Sequence, residues 1–156
     1  MTPAQLLGRV ERSERRAAEL YGLLLRRHDW DPEVASLLQR LEREERVHVK
    51  LVQHGVRLAR SAPALFVAGA PCAGPLLACG RVLDALVVPA RCSADHALAL
   101  ALRVEHAMAE ALLCARLGQA FPVLSGLLEG LQEPGHTAQL EALAARRGVR
   151  PSPDPA

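Results

Sequence analysis

The sequence predicts an all-α fold, an antiparallel bundle of four helices with one long connection between the second and third. Half of the 156 residues are hydrophobic and only 3% are aromatic, so we expect a core of leucine, alanine and valine. These residues recur at the three- and four-residue spacing of helices, with few alternating β-branched runs. The length suits one domain, residues 1–147, before a proline-rich tail, residues 148–156, that is predicted to be disordered.

The first two helices are predicted over residues 3–27 and from residue 32 to about residue 60. The first has an apolar stripe along one helical face, which consists of Leu6, Val10, Ala17, Tyr21 and Leu24. The second has a clear start signal, because Asp31 suits the N-cap and Pro32 suits the first helical position. These two helices are the best-defined elements of the sequence.

The second half of the chain is less regular. Residues 62–94 are rich in proline, glycine and alanine, and we predict one short helix there, over residues 76–88. A connection of this length fits a crossover between bundle helices. The third helix is predicted over residues 93–117 and the fourth over residues 122–147, with an interruption at Pro134 and Gly135. Residues 61–80 carry no charge, but their prolines and glycines argue against a membrane span.

Composition excludes several classes of site. The net charge of +2 neither requires nor excludes nucleic acid. No C-x-x-C pair is present, which excludes a rubredoxin-type iron site and a zinc ribbon. We predict buried thiols in a reducing cytoplasm for the four cysteines, Cys72, Cys79, Cys92 and Cys114. The charged N-terminal residues lack the apolar stretch of a signal peptide, which agrees with a cytoplasmic location.

Four polar residues interrupt the apolar stripes at helical spacing and are predicted to point into the core: Glu14, Glu45, His48 and Glu105. A buried carboxylate without a partner costs several kcal/mol, so it needs a cation. No lysine or arginine lies in these stripes. The sequence therefore leaves three explanations open, which are a bound metal, a protonated carboxyl group, or solvated glutamates that pair with surface arginines.

The order of the polar residues favours the metal. Glu14 is followed by a Glu45-x-x-His48 motif, then by Glu105, then by a Glu133-x-x-His136 motif. One glutamate on each of two helices, with Glu-x-x-His on the other two, is the arrangement of dimetal carboxylate proteins. Pro134 and Gly135 occupy the middle of the second motif, so the helix either kinks there or begins anew at Pro134. Either event moves Glu133 relative to His136 and puts half of the site in question.

At these residues the chain resembles the ferritin-like superfamily. The stretch from Glu14 to Tyr21, E-R-R-A-A-E-L-Y, resembles the E-x-x-A-x-x-x-Y of rubrerythrin-type members, and residues 43–48, R-E-E-R-V-H, resemble their E-E-x-x-H. The third helix, with Glu110 five residues after Glu105, is similar to the diiron hydroxylases that act on hypermodified adenosine in tRNA. The apolar connection is similar in character to the middle of demethoxyubiquinone hydroxylases.

The resemblance implies two iron ions, with manganese as the alternative metal, and chemistry with oxygen or peroxide. It implies six metal ligands, of which the second and fifth bridge the ions: Glu14, Glu45, His48, Glu105, Glu133 and His136. It also implies that Tyr21 and Glu110 lie beside the metals without binding them, although an ordinary core role is an equal alternative for Tyr21.

Three functions follow from these observations. The first is a non-haem dimetal oxidoreductase or hydroxylase that acts on oxygen, peroxide or iron and takes electrons from a separate donor. The second is a degenerate bundle whose incomplete metal site leaves it as a binding or scaffold module. The third is tRNA binding, which the even spread of arginines and the lack of interleaved aromatics disfavour. The sequence leaves a homodimer open.

Overall fold

The computed structural model describes residues 1–27, 31–66, 73–115, 117, 121–131 and 134–150. Within these residues the fold is all-α and contains no strand. The helices are α1 (Pro3–Arg27), α2 (Pro32–Ser61), α3 (Gly74–Ala85), α4 (Ala94–Ala115), α5 (Ser125–Gly130) and α6 (Pro134–Arg146), with short 3-10 helices at Pro63–Phe66 and Pro122–Leu124.

The start of α2 has the predicted cap. Asp31 is extended at the N-cap, and its Oδ1 accepts hydrogen bonds from the backbone N–H groups of Glu33 and Val34, both at 3.1 Å. Pro32 follows at the first helical position, where its missing N–H group has no partner to lose. Asp31 also accepts a hydrogen bond from Arg147, at 2.6 Å, which ties the start of α2 to the end of α6.

The core lies between the helices as the apolar stripes predict. α1 and α2 pack against each other, α3 packs against α1 and α4, and α6 packs against α4. The side chains that α1 and α2 bury completely include Val10, Tyr21, Leu24, Leu38 and Leu41, each 0% exposed. The first two helices therefore share one buried interface, and α3 packs on the α1 side of it.

The short helix of the connection begins and ends earlier than predicted. The sequence predicts residues 76–88, whereas α3 spans Gly74–Ala85 and the backbone is extended at Leu86. Pro89 gives the physical reason, because a proline disfavours the helical conformation in the residue before it. Leu86 and Val88 are buried while Val87 is 78% exposed, the alternation of an extended segment.

The predicted fourth helix is divided. A 3-10 turn at Pro122–Leu124 leads into α5, which ends at Gly130, and α6 begins at Pro134. The sequence left two outcomes open at Pro134, a kinked helix or the start of a new helix. The structure has a helix that starts at Pro134, and proline suits the first turn of a helix. α6 closes with Gly148 at φ 68°, and the Val149 N–H donates to the Ala144 carbonyl at 2.8 Å. The remainder of the tail, residues 151–156, lies outside the described residues.

The membrane prediction agrees with the structure as far as it is described. None of the helices in the described part of the chain combines the length and the apolar character that a membrane crossing requires.

Candidate metal centre

Glu14, Glu45 and His48 converge between α1 and α2. Their exposed fractions are 1%, 3% and 7%, so all three are buried, as their place in the apolar stripes predicts. Glu14 lies on the buried face of α1, and Glu45 and His48 lie one turn apart on the buried face of α2. The packing of the two helices therefore brings the three side chains to one point.

The contacts among the three groups are short. His48 Nδ1 lies 3.3 Å from Glu14 Oε2 and 3.4 Å from Glu45 Oε2. One ligand atom from each residue falls within 4.8 Å of the other two. A single ion can therefore be reached by two carboxylate oxygens and one imidazole nitrogen, a donor set that suits iron, manganese or zinc.

The cluster lacks the partners that buried carboxylates need. Glu14 Oε2 and Glu45 Oε2 are enclosed by protein, and neither accepts a hydrogen bond from any described residue. Within the same residues, His48 is the only cationic group that pairs with them, and it carries at most one positive charge against two negative charges. A divalent or trivalent cation would supply the missing charge and coordinate both oxygens, so the residues fit a metal ion.

The pKa values of the cluster also indicate a shortage of positive charge. Burial and the nearby negative charge of Glu14 raise the pKa of Glu45 to about 8, against a smaller opposing effect of His48. Burial alone would lower the pKa of His48, but the close Glu14 and Glu45 carboxylates outweigh it and raise that pKa to about 10. The metal-free cluster therefore retains protons at neutral pH, and a metal ion would have to displace them.

Glu105 and Tyr21 form a second buried pair beside the cluster. The Tyr21 hydroxyl donates to Glu105 Oε1 at 2.5 Å, and the Thr137 hydroxyl donates to Glu105 Oε2 at 3.4 Å. Tyr21 is 0% exposed and Glu105 is 6% exposed. Burial, followed by the charges of Glu105, Glu45 and Glu14, raises the pKa of Tyr21 well above its usual value.

These contacts place Glu105 next to the cluster, but Glu105 is not one of the three residues whose ligand atoms lie within 4.8 Å of one another. The charges of all three glutamates contribute to the raised pKa of Tyr21, so the tyrosine lies near both Glu105 and the cluster. The structure thus brings together four of the six predicted ligands in one buried region of α1, α2 and α4. The role of these residues as metal ligands stays a prediction.

Only part of the Glu133-x-x-His136 motif lies within the described residues. Glu133 lies outside the described residues. His136 belongs to the first turn of α6, but its side chain lies outside the described part, as does the side chain of Glu110. The next residue after His136, Thr137, does contact Glu105. The beginning of α6 therefore lies against α4 at the level of Glu105.

Sequence reasoning did not single out Thr137, nor the environment of Cys79. The contact of Thr137 depends on where α6 begins, which the sequence left open. Cys79 is 3% exposed on α3 and its thiol donates to Met108 Sδ at 3.6 Å. Burial raises the pKa of Cys79 to about 11, with Ser13 opposing the rise and the charge of Glu14 adding to it. α3 therefore covers the side of the cluster at Glu14.

The side chains of two of the four cysteines lie within the described residues. Cys79 and Cys92 are buried, which confirms the predicted burial of these two thiols. Cys72 and the side chain of Cys114 lie outside the described residues.

Comparison with known proteins adds nothing to this geometry, because no protein-family model, curated protein or solved structure matches the chain.

Proposed function

We propose that this chain is a non-haem dimetal carboxylate protein of the ferritin-like type, and that it acts as an oxidoreductase or hydroxylase on oxygen, peroxide or iron. The observation that carries the proposal is the convergence of Glu14, Glu45 and His48, with two enclosed carboxylate oxygens that accept no hydrogen bond from the described residues. Such an arrangement is unfavourable in a protein without a cation.

In this proposal six residues would hold the two ions between them, and Glu45 and Glu133 would be shared by both: Glu14, Glu45, His48, Glu105, Glu133 and His136. Iron, or manganese in its place, would supply the electron-transfer chemistry that side chains lack. The antiparallel four-helix arrangement with a long crossover, α1 and α2 joined to α4 and α6, belongs to this proposal as well.

The remaining polar groups orient the ligands. Tyr21 donates to Glu105 and so fixes the direction in which the other lone pairs of that carboxylate point. Thr137 holds the second oxygen of the same carboxylate. Because Tyr21 keeps its proton at any physiological pH, it remains a hydrogen-bond donor. Electrons would come from a separate donor, since the sequence contains no C-x-x-C pair of the rubredoxin type.

Metal titration of the purified protein tests the proposal. The protein is stripped with a chelator, loaded anaerobically with ferrous iron or with manganese, and analysed for metal content and by calorimetry. We expect two equivalents of tightly bound metal per chain. Glu45→Gln should abolish at least one of them, whereas Glu44→Gln on the same helix should bind as the unmodified chain does, because Glu44 pairs with Arg40 near the surface. Less than one tight ion per chain would refute the proposal.

A specific observation supports a second candidate, a bundle that binds one ion or none and serves as a binding or scaffold module. α6, which carries His136, begins at Pro134, the second position of the Glu133-x-x-His136 motif. This candidate predicts one equivalent at most, and, where the cluster holds no ion, it predicts that Glu45→Ala leaves the stability of the protein unchanged or raises it. The dimetal proposal predicts instead that this variant loses the metal-dependent rise in melting temperature.

A further inference from the structure

A groove between α1 and α3 lies outside the metal cluster and has an excess of positive charge. Its volume is about 410 Å³. The α1 side carries four arginines and the α3 side one, against two acidic residues: Arg9, Arg12, Arg15, Arg16 and Arg81 against Glu19 and Asp84. Five positive charges less two negative charges leave an excess of three in the lining of one groove. The whole chain carries a net charge of only +2.

Three of these arginines have no acidic partner. Arg15 pairs with Glu11, and Arg16 lies near both acids of the groove. By contrast, Arg9, Arg12 and Arg81 make no ion pair with any residue in the described part of the chain. Their guanidinium groups are therefore available to an external anion, and arginine is the side chain best shaped to hold a carboxylate or phosphate through two hydrogen bonds.

The same groove also has an apolar part. Leu77 of α3 is half-buried and keeps accessible surface, while Leu76 and Leu83 beneath it are 3% and 0% exposed and belong to the core. Gly80 lies between these leucines, and a Cβ atom placed there would meet no other atom within 4 Å. The groove therefore has open space above the backbone of α3, and its volume falls in the range of small-molecule sites.

We propose that this groove binds an organic anion, with its carboxylate or phosphate against Arg9, Arg12 and Arg81 and a short apolar portion against the leucines of α3. The described lining contains no aromatic side chain. Nucleic-acid bases would have no ring to stack on, so a small amphipathic anion fits better than a single strand of nucleic acid.

A larger groove between α1 and α2, of about 710 Å³, fits this kind of ligand less well. Two of its arginines are already neutralised, since Arg46 lies 2.8 Å from Glu42 and Arg15 lies 2.7 Å from Glu11. A ligand that used Arg15 or Arg46 there would have to break an existing ion pair. The α1–α3 groove offers unpaired cations and an apolar part together.

Calorimetry with four probes tests the proposal on metal-free protein. The probes are decanoate, decyl phosphate, inorganic phosphate and decanol, which separate the head group from the apolar portion. We expect one equivalent of decanoate or of decyl phosphate to bind, about tenfold or more tighter than phosphate or decanol. Comparison of the first two probes identifies the preferred head group. Equal binding of decanol, or of phosphate alone, would overturn the proposal.

Three variants locate the binding. Arg12→Gln with Arg81→Gln should weaken decyl phosphate binding by about tenfold. Arg57→Gln with Arg60→Gln removes the same charge from exposed positions on α2 and should have no such effect. Gly80→Leu changes no charge, and its side chain should fill the open space and abolish binding. The melting temperature of each variant confirms folding.

The comparison of variants decides the result. An equal loss of affinity in the α2 control would show a general charge effect and would reject the groove. Undiminished binding in Gly80→Leu would place the ligand elsewhere and would also reject it. Because none of these residues belongs to the metal cluster and the protein is metal-free, the outcome is independent of the proposed dimetal function.

Discussion

The buried carboxylate of Glu45 gives the sharpest prediction for the metal-free protein. Folding raises the pKa of this group from 4.5 to about 8, chiefly because of burial and then because of the charge of Glu14. A raised carboxyl pKa means that this group binds protons more tightly in the folded chain than in the unfolded chain, so its contribution to stability is greatest below pH 4.5 and is lost as the pH rises toward 8. Glu45→Gln removes this titration.

The size of the effect follows from the same shift. A change of this extent corresponds to roughly 5 kcal/mol at pH values above both pKa values, as an upper limit. Part of it is offset, because the two carboxylates also stabilise the charged form of His48, and the variant loses one of them. Relaxation of the site reduces it further. We therefore expect Glu45→Gln to stabilise the metal-free protein by about 1–3 kcal/mol at pH 8.5 and by little at pH 4.5.

Urea denaturation followed by circular dichroism, with chelator present, measures the free energies of unfolding of Glu45→Gln and of the unmodified protein from pH 4.5 to 9. The matched control is Glu44→Gln, whose half-exposed carboxylate lies 3.7 Å from Arg40 and should contribute less than about 1 kcal/mol at any pH. Destabilisation by Glu45→Gln at pH 8.5, or a difference that does not grow with pH, would refute the account of the cluster as short of positive charge.

Three further changes test the surrounding structure. Tyr21→Phe removes the donor to Glu105 without changing the packing, so urea denaturation should show a loss of about 1–3 kcal/mol; an unchanged midpoint would contradict the 2.5 Å hydrogen bond. Leu83→Ala should lower the free energy of unfolding by about 2–5 kcal/mol, since this side chain is 0% exposed where α3 meets α1 and α4; a small loss would mean that α3 is loosely attached. Asp31→Ala should lower the melting temperature at neutral pH, because the backbone N–H of Val34 and other donors lower the pKa of Asp31 below 3.8 and hold the cap charged. That difference should disappear as the pH falls below 3.8, and a difference that persists there would exclude the charged cap as its cause.

Local sequence signals were sufficient for the first half of the fold. Asp31 and Pro32 define the start of α2 through a cap and a missing N–H group, both properties of the residues themselves. The burial of Glu14, Glu45 and Glu105 follows from helical spacing against apolar neighbours, which is also local. These predictions needed no knowledge of which helix faces which.

The rest of the site depends on contacts between helices, which the spacing of residues along the chain does not predict. A proline is compatible with a kink and with a new helix start, so the sequence left both open at Pro134, and the packing of α6 on α4 accompanies the second. The Tyr21–Glu105 hydrogen bond joins residues 84 positions apart. The resemblance placed Tyr21 near the metals but gave no partner for its hydroxyl, which only the packing of α1 against α4 supplies.

The arrangement of Glu14, Glu45 and His48 is costly for folding, and that cost is an argument about function. Hydrophobic side chains of similar volume at these three positions would pack between α1 and α2 at least as well, and replacement of buried ion groups in this way is often stabilising. A hydrophobic core does not need them, since Val10, Tyr21 and Leu41 already surround the site. The groups instead resemble a preorganised receptor, whose unfavourable charge is relieved when a cation binds. We expect Glu45→Gln to stabilise the metal-free protein. If the same substitution destabilises the metal-loaded protein, the Glu45 carboxylate opposes folding and supports metal binding.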